Sequence, residues 1–126
     1  LLVVLSYLER ADTHLGYGTP VRFSLAAGQA TRSTVPLGGQ VLVGGRPFDA
    51  EVLRFSIGYG VPSRIFDDCQ QVPAGASTYL LMRQGTPGAT ALRAADAPLL
   101  ATVERPGDAY LVFGPPVRQP VLTGQC

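Results

Sequence analysis

Glycine and proline break the apolar stretches of this chain before any of them grows long. The 126 residues include 15 Gly and 11 Pro. Gln40–Val43 stops at Gly44-Gly45, Ser77–Met82 is soon followed by Thr86-Pro87-Gly88, and Leu99–Glu104 runs into Arg105-Pro106-Gly107. Proline lacks a backbone donor and glycine weakens the interior of a helix or strand, so each cluster marks a turn. Short elements joined by tight turns are what such a chain can build. Charged residues make up 15% and hydrophobic ones 46%, which excludes a coiled coil and a highly charged disordered tail. The length suits one domain with a real core.

The charge balance argues against nucleic acid as a partner. Formal net charge is +1, and the basic residues are spread along the chain instead of forming a stripe. All 10 are Arg, with no Lys or Asn and only Ile57 and Ile65 as isoleucines. That bias follows GC-rich codons and points to a high-GC bacterial gene, not to a choice of guanidinium over ammonium. Cys69 and Cys126 are the 2 thiols, with no metal-binding or redox spacing around them. Two readings stay open: unpaired thiols in a reducing compartment, or a disulfide closing a long loop and worth about 4 kcal/mol.

The most apolar run is Leu1–Leu8, far short of the roughly twenty residues that cross a bilayer. It passes into a helical pattern with Val4, Leu8, Ala11 and Leu15 on one face, ending at Gly16. No Met precedes Leu1, and the pattern is expected of a membrane helix cut at its end; an ordinary core helix is the alternative. Residues 1–15 are therefore read as a juxtamembrane or first helix, and 16–126 as a single domain.

Thr19-Pro20 reads as an N-cap with Pro at the first helical position. It predicts a short helix from Pro20 to about Ala27, stopping at Gly28, with a strand through Val21–Leu25 as the competing reading. Gln40–Val43 and Glu51–Ser56 are expected to be a hairpin or a pair of neighbouring strands, and Ser77–Met82 a buried one. Leu99–Glu104 and Ala109–Phe113 flank Pro106-Gly107, which suits the centre of a type II turn. The fold expected is α+β: two short N-terminal helices on a mainly antiparallel sheet of about five strands. Leu42, Leu53, Phe55, Leu80, Leu100, Val103, Leu111 and Phe113 are its expected core.

Catalytic motifs are not found in the sequence. The single His14 lies on the first predicted helix, where a surface imidazole is the ordinary reading. No nucleophile elbow, zinc-protease pair or P-loop occurs, and Gly16-x-Gly18 lacks a third glycine. Asp67-Asp68 is a pair of adjacent carboxylates, whose side chains point apart in an extended loop and suit a solvated turn. Tyr17, Phe23, Tyr59 and Phe66 could line a ligand surface with Arg22 and Arg64, though aromatics so scattered are the usual stuff of a core. No catalytic residue, metal site or cofactor is expected in this stretch.

The order of Leu1–Leu15, Gly16-Tyr17-Gly18, the helix after Thr19, a β-rich middle and a closing strand pair resembles a known arrangement. It is similar to the extracytoplasmic C-terminal domain of bacterial multi-spanning glycosyltransferases that use polyprenyl-phosphate sugars. The chain departs from that pattern in having Pro20-Val21 where an aromatic pair is usual, and it has no Trp. The resemblance implies an accessory domain at the outer face of the cell membrane, non-catalytic by itself, capping the membrane active site or positioning acceptor. Its partner would be the membrane-embedded remainder of the same chain, with a sugar or lipid-linked sugar as ligand and Tyr17 and Arg22 as binding residues. In that oxidising setting Cys69 and Cys126 are expected to pair, tying the Pro-rich tail to the Asp67-Asp68 loop. The alternative is a standalone secreted or periplasmic binding or structural module, associating through its apolar first helix.

Overall fold

The computed structural model describes residues 21–44, 47–67 and 72–122. They form an α+β fold with a five-stranded mixed sheet and three helices. In chain order these are α1 (Val21–Thr34), β1 (Gln40–Gly44), α2 (Pro47–Ile57), β2 (Ser63–Phe66), β3 (Thr78–Arg83), α3 (Pro87–Ala94), β4 (Leu99–Arg105) and β5 (Asp108–Phe113). The strands lie in the order β2-β1-β3-β5-β4. β1 is parallel to both β2 and β3, while β5 is antiparallel to β3 and β4. The sheet is thus half parallel, and the expectation of a mainly antiparallel one is corrected. The first predicted helix, Leu1–Leu15, lies outside the described residues.

Strand alternation assigns side chains to two faces. Val41, Val43, Leu81, Tyr110 and Val112 face α1 and α2, meeting Phe23, Ala27, Ala50, Leu53 and Ile57. Leu42, Leu80, Met82, Leu111 and Phe113 face the other way, toward Ala89 and Leu92 of α3 with Leu122 packed at the margin. β3 is covered on both sides, which is why Leu80-Leu81-Met82 reads as an unbroken apolar run.

Five local expectations are overturned, each by an identifiable cause. Glu51–Ser56 is helix: Ala50, Leu53 and Ile57, spaced three and four apart, are buried together. Phe55, two residues beyond Leu53, sits about 200° around that helix and faces solvent, so it is not core. Gly28 does not stop α1. It is buried where Ser56 of α2 crosses, and a Cβ there would lie 2.1 Å from Ser56 Oγ, so glycine is needed for close approach and the helix runs on to Thr34. Thr86-Pro87-Gly88 opens a helix, with Thr86 Oγ1 accepting from the Ala89 N–H at 3.3 Å and Pro87 in the first turn. Leu100 is the extra residue of a bulge between Leu99 and Ala101, which turns it outward; it is exposed, whereas Val103 is half-buried against the helix-side core.

The hairpin forms as read from its composition. Arg105 pairs with Asp108 across Pro106-Gly107, and Gly107 has φ 76, the positive value a type II turn needs at its third position. Among the described residues no helix is long and apolar enough to cross a membrane.

Candidate functional site

The C-terminal end of α2 supplies a described surface that combines a hollow, exposed aromatics and charge. Gly58 closes the helix with φ 84, its N–H donating to the Arg54 carbonyl at 3.1 Å, a left-handed stop that favours glycine. Beyond it the chain turns through Tyr59 and Gly60 into β2. Glu51, Arg54, Phe55, Gly58, Tyr59 and Ser63 line a hollow of about 340 Å³, near the lower end of small-ligand pockets. Phe55 is 79% exposed and Tyr59 109%, so neither ring contributes to the core. Arg54 Nη1 lies 3.4 Å from Glu51 Oε1, a loose pair in water and worth little. Arg54 Nε is covered yet has no hydrogen-bond partner, so the present rotamer carries the cost of an unmet donor. An oxygen ligand that draws the guanidinium outward relieves that cost.

A second cluster, at the opposite end of β3, is held too firmly to do chemistry. Arg83 Nε donates to Asp108 Oδ1 at 3.2 Å and Oδ2 at 3.1 Å, and its Nη2 also donates to Oδ2. The same guanidinium lies 5.7 Å from the centroid of Tyr110. Tyr110 packs its ring 4.7 Å from that of Phe23, and Arg105 covers Phe23 from 5.7 Å. The Tyr110 hydroxyl meets Ser24 Oγ at 3.4 Å. This ladder ties α1 to β3, β4 and β5. Hydrogen bonds from Arg83 hold the Asp108 carboxyl below its usual range against the opposing effect of burial, with the Ala109 N–H and Arg105 adding to the lowering. A carboxylate held so firmly is a structural clamp, not a proton carrier.

Of the residues singled out from sequence, those that are described do not come together in one place. Tyr17, His14, Asp68, Cys69 and Cys126 lie outside the described residues. Arg22 is exposed in the first turn of α1, ten residues or about 15 Å along the helix from Arg32, which lies near the hollow. Phe23 is buried on the helix side and Phe66 packs on the other side of the sheet, leaving Tyr59 as the surface aromatic among the described members of that set. Sequence reasoning missed the hollow because it placed Phe55 in a strand. The spacing of Ala50, Leu53 and Ile57 was the signal that would have put Phe55 outside. Among the described residues no group of three or more His, Cys, Asp or Glu side chains could hold a metal ion. No protein-family model, curated protein or solved structure matches the chain, and the hollow and the clamp are what its function must be argued from.

Proposed function

We propose that this chain is an accessory, extracytoplasmic domain of a membrane glycosyltransferase, one that holds a partner in place and leaves bond-making to the membrane-embedded part. The observation that supports binding is the hollow at the end of α2, where two solvent-facing rings stand beside a guanidinium with an unmet donor. Exposed aromatic rings and arginine are the side chains that carry most binding energy at protein surfaces. Among the described residues, the Asp108 carboxyl, held below its usual range chiefly by the Arg83 hydrogen bonds, is engaged in the structural clamp. Support for the membrane setting comes from the sequence, where the apolar Leu1–Leu8 and amphipathic Glu9–Leu15 lead toward α1.

The test is made on the complete gene product. Its polypeptide is expected in the membrane fraction, with an epitope placed at Gly85, in the exposed turn after β3, reached by antibody from outside intact spheroplasts. Recovery from the cytosol would refute the reading. A soluble secreted product that sediments as one homogeneous oligomer would favour the standalone module.

A further inference from the structure

We infer that the end of the molecule where α1 and α2 terminate is a lipid-contacting tip: Leu37, Phe55 and Tyr59 enter the interface of an anionic bilayer, and Arg32 and Arg54 meet its headgroup phosphates. The inference deepens the accessory-domain reading and rests on it for the nearness of a membrane.

Two matching loops build the tip. Val41 of β1 is the register partner of Ser63 of β2, and the Val41 N–H donates to the Pro62 carbonyl at 2.9 Å. Leu37 stands four residues before Val41, and Tyr59 four before Ser63. Each therefore sits in the loop that carries a helix end into one of two adjacent strands, at the same edge of the sheet. Both loops are fixed by hydrogen bonds. The Gly39 N–H donates to the Pro36 carbonyl at 3.0 Å, with Gly38 at φ 88, so Leu37 occupies the corner of a tight turn. The other loop starts from Gly58, which ends α2 with φ 84 and its N–H on the Arg54 carbonyl. Turn corners usually carry polar residues; here they hold Leu37, 105% exposed, and Tyr59, 109% exposed, with Phe55 lining the same hollow as Tyr59.

Charge and shape choose the occupant. Arg32 lies in the last turn of α1 with its guanidinium near Gly58, 3.9 Å from where a Cβ there would stand. Arg54 lines the hollow with its Nε unmet. Against these two cations the hollow carries one carboxylate, Glu51, so the tip suits an anionic surface. The apolar side chains protrude from separate turns instead of lining a groove. A protein partner would need a preformed pocket for each, whereas fluid lipid closes around any protrusion, and amphipathic tyrosine settles at headgroup depth.

The chain has no Trp, so Tyr59→Trp gives a single reporter at the tip. With vesicles of phosphatidylcholine containing about one-third phosphatidylglycerol, its emission is expected to shift to the blue and to be quenched by brominated lipid. Pure phosphatidylcholine should give a weaker effect, and high salt should reverse much of it. In the wild-type background, Leu37→Ser with Tyr59→Ser should lower partitioning into the anionic vesicles by about tenfold or more. Thermal unfolding should be unchanged, since both side chains are solvent-exposed. The comparison cancels any affinity of Leu1–Leu8, which both proteins share. Emission that stays water-like while the protein is vesicle-bound would overturn the proposal, as would equal partitioning of the variant. So would equal binding to neutral vesicles, saturation by inorganic phosphate alone, or a wild-type dimer that the variant dissolves. Cytosolic recovery of the complete gene product would sink the glycosyltransferase reading and leave the vesicle result to be judged separately.

Discussion

Among the described residues, Asp108 has a titration clearly altered by the fold, and its sign sets a pH limit on stability. Its carboxyl is held below the ordinary range, chiefly by the Arg83 hydrogen bonds. A depressed folded pKa contributes stability above the unfolded value, near 4, and loses it as pH falls through the folded one. Asp108→Asn is expected to destabilise by about 1–3 kcal/mol at neutral pH, the range for hydrogen bonds to charged groups. Urea unfolding at intervals from pH 7 to pH 2 should show that difference steady above about pH 5 and shrinking below about pH 4; a constant difference would mean the clamp is not ionic. Nothing in the local sequence announces this pair. Arg83 and Asp108 are 25 positions apart, and their meeting depends on the register of β3 against β5. Gly107 and its turn, by contrast, were legible, because the demand for positive φ is met within four residues.

Elements were legible where one period dominated and misread where two overlapped. Ser77–Met82 and the β4–β5 pair have strand composition with no helical spacing, and both are strands. Glu51–Ser56 satisfies alternation through Leu53 and Phe55, yet Ala50, Leu53 and Ile57 satisfy helical spacing as well, and the pairing of β1 with β2 and β3 leaves no sheet position for it. The short β2 gave no signal of its own between Pro62 and Asp67. The α1–α2 crossing offers the sharper prediction. Replacing an ordinary helical glycine by alanine stabilises by roughly 0.5–1 kcal/mol. At Gly28 the new Cβ would come 2.3 Å from Ser56 Cβ and 3.0 Å from its backbone carbon. Gly28→Ala should therefore destabilise by about 1–3 kcal/mol, which thermal denaturation can read, and a stabilised variant would show that the helices do not cross here. Thr86 gives a second measurement: its side chain also donates to the Arg83 carbonyl at 2.9 Å. Thr86→Ala should cost about 1 kcal/mol through loss of the α3 cap, whereas Thr86→Ser should retain most of it.

For the molecule as a whole, the α+β class could be read from sequence, but the count of five strands agrees only because Glu51–Ser56, read as a strand, stands in for the unread β2, and the direction of pairing could not be read. Whether two strands run parallel depends on what lies between them, and a misread α2 turned a crossover into a hairpin. The candidate site was lost with it, since Phe55 and Tyr59 make a surface only once α2 is a helix. The mixed sheet also divides the chain by how far contacts must reach. β4 and β5 are joined by two turn residues, so their pairing closes a small loop, and hairpins form in about 1–10 μs. β1 meets β3 only after α2, β2 and the following segment have been spanned, and such remote parallel pairings are slow. During refolding the hairpin amides of Tyr110–Val112 are expected to gain protection from exchange before those of Val41–Val43. β3, bonded to both halves, is where the late half joins the early one. A refolding chain is therefore expected to hold the edge of β5 open until β3 docks, and that exposed edge is where copies of the protein would mispair at high concentration.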